Sequence, residues 1–175
     1  MDALRKIRKV IDTVNYWVGT IAKYLLILIM AALSFEVIAR YIFNSPTIWA
    51  QDMSRQFLCA MGALGGGFTL LYNQHVRVDV FWGSWSDKTR GIVDICTSFL
   101  FFIFMAFMVY QSIIMAQDSW MFQERAATVF APPLYYVKTL IPIGAILLLL
   151  QGIAKLIHDI IAFVTGKSED MRYID

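Results

Sequence analysis

Charge is scarce in this chain: 16% of its 175 residues are Asp, Glu, Lys or Arg and 59% are hydrophobic, where soluble domains carry about 25% and about 45–50%. A soluble globular domain is excluded. Cysteine is nearly absent as well, with only Cys59 and Cys96, both inside apolar runs and without CxxC spacing. That pattern supports neither a zinc site nor a disulfide framework, and reads as two small buried residues. Histidine is limited to His75 and His158, near the ends of apolar runs. A membrane cytochrome needs axial ligands facing one another inside a helix bundle, so both read as interfacial, with Asp79 a local neighbour of His75. No nucleophile elbow, Walker-type glycine loop or metal-ligand spacing occurs. The chain is therefore predicted to be neither an enzyme nor the holder of a cofactor, metal or catalytic residue. The net charge of +2 comes from clustered ends rather than a basic stripe, which leaves nucleic-acid binding without support.

What the chain has instead is apolar length. Its hydrophobic residues fall into four runs of the size that crosses a hydrocarbon core of about 30 Å at about 1.5 Å per residue. They lie at about 24–43, 49–72, 92–116 and 136–163 and fill most of the sequence, leaving no segment for a separate aqueous domain. Before the first run, Leu4, Ile7, Val10, Ile11, Val14, Val18 and Ile21 recur at helical spacing while Arg5, Lys6, Arg8, Lys9 and Asp12 occupy the other face. This predicts an interfacial helix over about 4–21. The first run is long, contains Glu36 and Arg40 and lacks a convincing cleavage site, so it reads as an uncleaved span.

The second run closes in the small-residue stretch Cys59, Ala60, Gly62, Ala63, Gly65, Gly66, Gly67, which lets helix backbones approach and predicts packing against protein. The third carries Phe and Met around its circumference and is the expected lipid-exposed helix. The fourth holds Pro142, Gly144, Gln151 and Gly152. Lysine and arginine cluster before the first span, between the second and third, and after the fourth, so both termini are expected in the cytoplasm. The aromatic linker 76–85 is assigned to the cytoplasmic interface, and 118–133, with Trp120, Phe122 and Pro132-Pro133, to the outer side. The fold class is an all-α integral membrane protein: one membrane domain over 1–175, with four transmembrane helices and interfacial amphipathic helices.

Glu36 is the polar residue that most needs an explanation, since an intramembrane carboxylate is costly unless partnered. It is either a proton or cation site, as in a small self-contained antiporter, or one half of an ion pair with Arg40 or Arg55. Asp52 and Arg55, spaced i, i+3 at the start of the second span, join Arg40 across the short turn 44–47 in a charged cluster. Such a cluster is a docking surface or ordinary helix-end charge. Lys23 is expected to snorkel to cytoplasmic headgroups. Repeated halves and broken helices, the marks of a self-sufficient transporter, are missing, so the chain reads as an accessory subunit.

The order Glu36-Val-Ile-Ala-Arg40-Tyr-Ile-Phe-Asn44, Trp49 with Asp52 and Arg55, Gly65-Gly66-Gly67, His75-Val-Arg-Val-Asp79, and later Pro132-Pro133, Lys138, Pro142-Ile-Gly144 and Gln151 resembles the small permease subunit of tripartite ATP-independent periplasmic (TRAP) transporters, the DctQ-like family. The likeness covers nearly the whole chain. It departs in Asp52, where a glutamate is common, and in Asn73-Gln74 ahead of His75. The resemblance implies an inner-membrane scaffold for a large DctM-like subunit that binds substrate and sodium. It also implies a DctP-like periplasmic protein that delivers a carboxylate or similar organic anion, with membrane lipids as the remaining partner. Glu36, Arg40, Trp49, Asp52, Arg55, Gly62 and Gly66 would form the subunit contact. The alternative is a small ion-coupled transporter using Glu36.

Overall fold

A computed structural model describes the backbone of residues 2–72 and 87–165 and the side chains of residues 5–72 and 97–157. The fold is all-helical: α1 Asp2–Tyr41, α2 Ala50–Leu71, α3 Asp87–Met121 and α4 Tyr135–Thr165. Among the described residues no strand forms, and Arg125 and Pro133 make an isolated antiparallel bridge. Cys96, His75, His158, Asp79 and the linker 76–85 lie outside the described side chains.

Among the described residues three helices are long and apolar enough to cross a membrane, in α1, α3 and α4. The second is not among them. Its first turns hold Gln51, Asp52, Ser54, Arg55 and Gln56, and four glycines dilute the apolar remainder. The chain is a multi-pass membrane protein whose spans differ in how much protein surrounds them. In the most apolar stretch of α1 and of α3, 17% of the residues are buried, against 33% in α4. The third helix thus shares its exposed character with α1, and α4 is the more central element.

Packing order follows from the contacts. The first two helices run antiparallel: Phe35 stacks on Trp49 at one end, and Tyr16 meets Phe68 near the other. The fourth helix lies against α2, where a Cβ on Gly144 would stand 2.0 Å from the Ala63 carbonyl oxygen and one on Gly66 3.6 Å from Leu148 Cδ2. On its other side α4 holds α3, with Gly152 beneath the Phe101 ring and Trp120 Nε1 donating to Thr139 Oγ1 at 2.8 Å. Small residues sit where axes approach most closely, the arrangement that packs helices when hydrophobic burial offers little gain.

The first helix does not divide into an interfacial piece and a span. It runs unbroken for 40 residues, about 60 Å at the α-helical rise. Its N-terminal polar residues divide: Arg8, Asp12 and Asn15 are buried, while Arg5, Lys6 and Lys9 are exposed together with Ile7, Val10, Val14, Trp17 and Ile21. The reason lies on α4. Gln151, itself buried, donates from Nε2 to Asp12 Oδ1 at 2.8 Å and accepts from Asn15 Nδ2 at 2.8 Å. Arg8 Nε stands 3.8 Å from Asp12 Oδ2. Polar groups that satisfy each other are better placed inside the bundle than toward hydrocarbon.

Both remaining turns use residues in the left-handed region. Asn44, at φ 49°, follows α1, and asparagine tolerates that conformation. Gln123, at φ 48°, follows α3. There the Glu124 amide donates to the Ser119 carbonyl at 3.0 Å and the Gln123 amide to Trp120 at 3.3 Å, the bond pair of a Schellman cap.

Candidate functional site

The charged residues singled out in the sequence gather at one end of the bundle, around the 42–49 turn and the 122–134 loop. Glu36 and Arg40 are one helical turn apart on α1, and Arg40 Nε donates to Glu36 Oε1 at 3.0 Å. The other carboxylate oxygen accepts from the Thr47 amide at 2.9 Å and from the Thr47 hydroxyl. Both oxygens are thus engaged, and the carboxylate ties α1 to the turn that follows it. Its side chain is 9% exposed, while that of Arg40 is 50% exposed.

The second pair repeats the arrangement. Asp52, in the first turn of α2 where the helix dipole favours an anion, lies 3.6 Å from Arg55 Nη1 and accepts a hydrogen bond from the Thr128 hydroxyl. Asp52 is 8% exposed and Arg55 63% exposed. In each pair the carboxylate is turned inward and the guanidinium outward. Trp49 stacks on Phe35 with ring centroids 5.9 Å apart, and closes the α1 and α2 hairpin between the two pairs.

The 122–134 loop is tied down along its length. The Leu134 amide donates to the Glu124 carbonyl at 2.9 Å and the Ala126 amide to Pro132 at 3.0 Å. Thr128 reaches Asp52, and Gln56 Nε2 donates to the Pro133 carbonyl at 3.2 Å. Glu124 accepts from Lys138 Nζ, and that ammonium holds its carboxyl below the usual carboxylate range. Exposed apolar side chains rim this end, among them Ile42, Phe43, Val129 and Phe130.

The small-residue face of α2 divides. Gly66 lies over Leu148 within the same chain, so its packing is internal, whereas a Cβ on Gly62 or Gly65 would meet nothing within 4 Å. Cys59 is exposed on the same helix rather than buried. The sequence reading missed Thr47 and Thr128, whose hydroxyls complete the two carboxylate sites. Their only signal was position within turn segments. It also missed the pairing of Asn15 and Asp12 with Gln151, although Gln151 among leucines marked one half of it. Among the described residues no cluster of His, Cys, Asp and Glu suits a metal ion.

These features coincide with a match to known proteins. Residues 29–162, which reach into all four helices, match the model for the DctQ component of tripartite ATP-independent periplasmic transporters. The chain is 25% identical over 95 residues, 54% of its length, to the sialic acid TRAP transporter permease protein SiaT of Haemophilus influenzae, of which it covers 15%. It is 23% identical over 87 residues, 50% of its length, to the sialic acid TRAP transporter small permease protein SiaQ of Vibrio cholerae, of which it covers 49%. The chain thus spans less than two thirds of either relative. With a helical membrane bundle and a family match through most of its length, the chain belongs to the DctQ component family of tripartite ATP-independent periplasmic transporters.

Proposed function

We propose that this chain is the small membrane subunit of a TRAP importer in a bacterial or archaeal cytoplasmic membrane, with both termini in the cytoplasm and α2 as a fourth span. It scaffolds a large DctM-like transport subunit and helps dock a DctP-like periplasmic binding protein. The imported substrate is an organic anion of the carboxylate class, taken up with sodium. The observation that carries this reading is the family match over 29–162. The relatives support the substrate class, since both are named as sialic acid transporter proteins. They also support a large partner: the stretch of SiaT that this chain resembles is 15% of that permease protein.

In this reading the residues of the contact have different tasks. Glu36 and Asp52 brace the hairpin from inside and orient Arg40 and Arg55 outward. Arg40, Trp49, Arg55 and the open backbone at Gly62 are then available to partners, with the guanidinium groups suited to carboxylates. Gly66 leaves the contact, and Gly65 takes its place. The reading of Glu36 as the ion site of a self-contained transporter is not favoured, because Arg40 and Thr47 already occupy both of its oxygens.

The test is to tag the chain, purify it in mild detergent from its native membrane and identify what accompanies it. A stoichiometric large polytopic transport protein is expected. Substrate flux by the chain alone in proteoliposomes, abolished by Glu36→Gln, would overturn the proposal.

A further inference from the structure

We infer that the bend Thr128–Ala131 is a preformed apolar knob that docks reversibly into an apolar depression, edged by carboxylates, on the soluble substrate-binding protein. The inference rests on the subunit reading and the orientation proposed above, and adds to them the residues of one contact and the surface they fit. The bend lies in the loop that joins α3 to α4, and its two corner residues are apolar: Val129 is 87% and Phe130 42% exposed. Single exposed apolar side chains are common on any protein. What sets these two apart is the structure that holds them out.

The bend is fixed at both ends. The Ala131 amide donates to the Thr128 carbonyl at 3.1 Å and to the Thr128 hydroxyl at 3.3 Å, and that hydroxyl donates in turn to Asp52 in the first turn of α2. At the other end Ala131 sits at φ 46°, a conformation that a residue with a Cβ seldom adopts, and its carbonyl accepts from Arg125 Nη1 at 3.5 Å. A backbone ordered in advance loses less entropy on meeting a partner of fixed shape. A fluid layer of acyl chains or headgroups gains nothing from that order.

The free backbone groups narrow the choice of occupant further. Among the described residues the amides of Ala127, Thr128, Val129 and Phe130 donate no hydrogen bond, so they need water, and the tip belongs outside hydrocarbon. A neighbour that covers the tip permanently strands these donors unless it offers an acceptor to each, whereas a soluble protein that comes and goes leaves them hydrated between encounters. Charge supplies the last element. Arg55, 63% exposed, adjoins the Thr128 end through Asp52, and Arg125, also exposed, adjoins the Ala131 end. Asp52 itself is 8% exposed and turned inward. A partner therefore meets an apolar tip between two guanidinium forks, and the surface complementary to it is an apolar depression with carboxylates at its edge.

The experiment embeds the complex of this chain and its large subunit in nanodiscs and titrates it with the purified soluble binding protein, read by surface plasmon resonance. Val129→Asp, at a side chain exposed enough to leave the bonds of the bend in place, and Arg125→Glu are each expected to weaken binding at least tenfold with the yield of large subunit unchanged. Wild-type affinity is expected to fall as salt rises. A photo-crosslinking amino acid at position 129 is expected to form an adduct with the soluble protein, at a peptide containing Asp or Glu. Wild-type affinity in both variants overturns the inference, as does an adduct formed only with lipid, with the large subunit or with a second copy of this chain. If wild type recovers no large subunit, the subunit reading fails and the inference with it; if wild type binds the soluble protein and the variants bind it equally well, the subunit reading stands and the inference alone falls.

Discussion

Replacing Gly144 with alanine tests the packing of α2 on α4 most directly. A Cβ built there lies 2.0 Å from the Ala63 carbonyl oxygen and 2.6 Å from its carbonyl carbon. Both atoms are backbone, so no side-chain rotation relieves the clash. Restoring ordinary contact at 3.4 Å requires the two helix axes to part by 1.4 Å locally. Overpacking of this kind costs about 1–3 kcal/mol, and rigid backbone on both sides points to the upper half. Alanine also returns up to about 1 kcal/mol of helix propensity over glycine, leaving a net loss of about 1–2 kcal/mol. At about 2–4 °C per kcal/mol for chains of this size, Gly144→Ala should melt on the order of 5 °C below wild type in mild detergent, followed by tryptophan fluorescence. Gly66→Ala is the internal control. Its Cβ meets Leu148 Cδ2 at 3.6 Å, so the propensity gain is kept and the melting point should be unchanged or raised. Equal stability of Gly144→Ala and wild type would refute the close approach of α2 and α4.

Four further expectations follow from individual contacts. Gln151→Leu leaves Asp12 Oδ1 and Asn15 Nδ2 without their buried amide partner, and should cost about 1–3 kcal/mol in thermal unfolding; a neutral variant would show that α1 is not held to α4 by this network. Thr128→Ala removes the hydroxyl that the loop gives Asp52, and should speed limited proteolysis between residues 122 and 134 while leaving the bundle intact. The Lys138 ammonium lowers the Glu124 carboxyl from its ordinary 4.5, so this pair contributes stability above that value and loses it as pH falls through the lower folded one. The melting difference between wild type and Glu124→Gln should therefore shrink on acidification from pH 7, and a pH-independent difference would count against the pair. Gln123 sits at φ 48° in a helix cap that glycine favours, so Gln123→Gly should raise stability by about 0.5–1 kcal/mol, read as a higher melting temperature.

Helix content was legible because apolar runs of spanning length leave few alternatives, and the charged cluster was legible because Glu36 with Arg40 and Asp52 with Arg55 fall at helical spacing. The orientation within each pair was not. Spacing predicts that two groups meet, but which one is turned inward depends on Thr47 and Thr128, supplied from segments 11 and 76 residues away. The same limit applies to the N-terminal part of α1. Its amphipathic pattern is real, but periodicity does not say whether the polar stripe faces water or protein, and the deciding residue, Gln151, is 136 positions from Asn15. Glycine patterns carried a further ambiguity: Gly62 and Gly66 look alike on a helical wheel, yet among the described residues Gly66 has a neighbour within 4 Å of a built Cβ and Gly62 has none.

The inward turn of the polar stripe has a consequence for how the chain sits among its neighbours. A helix that buries Arg8, Asp12 and Asn15 against Gln151 must present its apolar residues outward, and Val10, Trp17 and Ile21 are each more than half exposed. That surface continues along α1, with Lys23 an exposed charge within it. With α3 it forms a boundary that suits lipid or another membrane helix and not water. By contrast, the exposed side of α2 is mixed: Gln51, Arg55, Cys59 and Gly62 lie there with Leu58. α2 is also the shortest of the four helices, and among the described residues nothing lies over its backbone at Gly62 and Gly65. The proposed scaffold role assigns the large subunit to that side of α2.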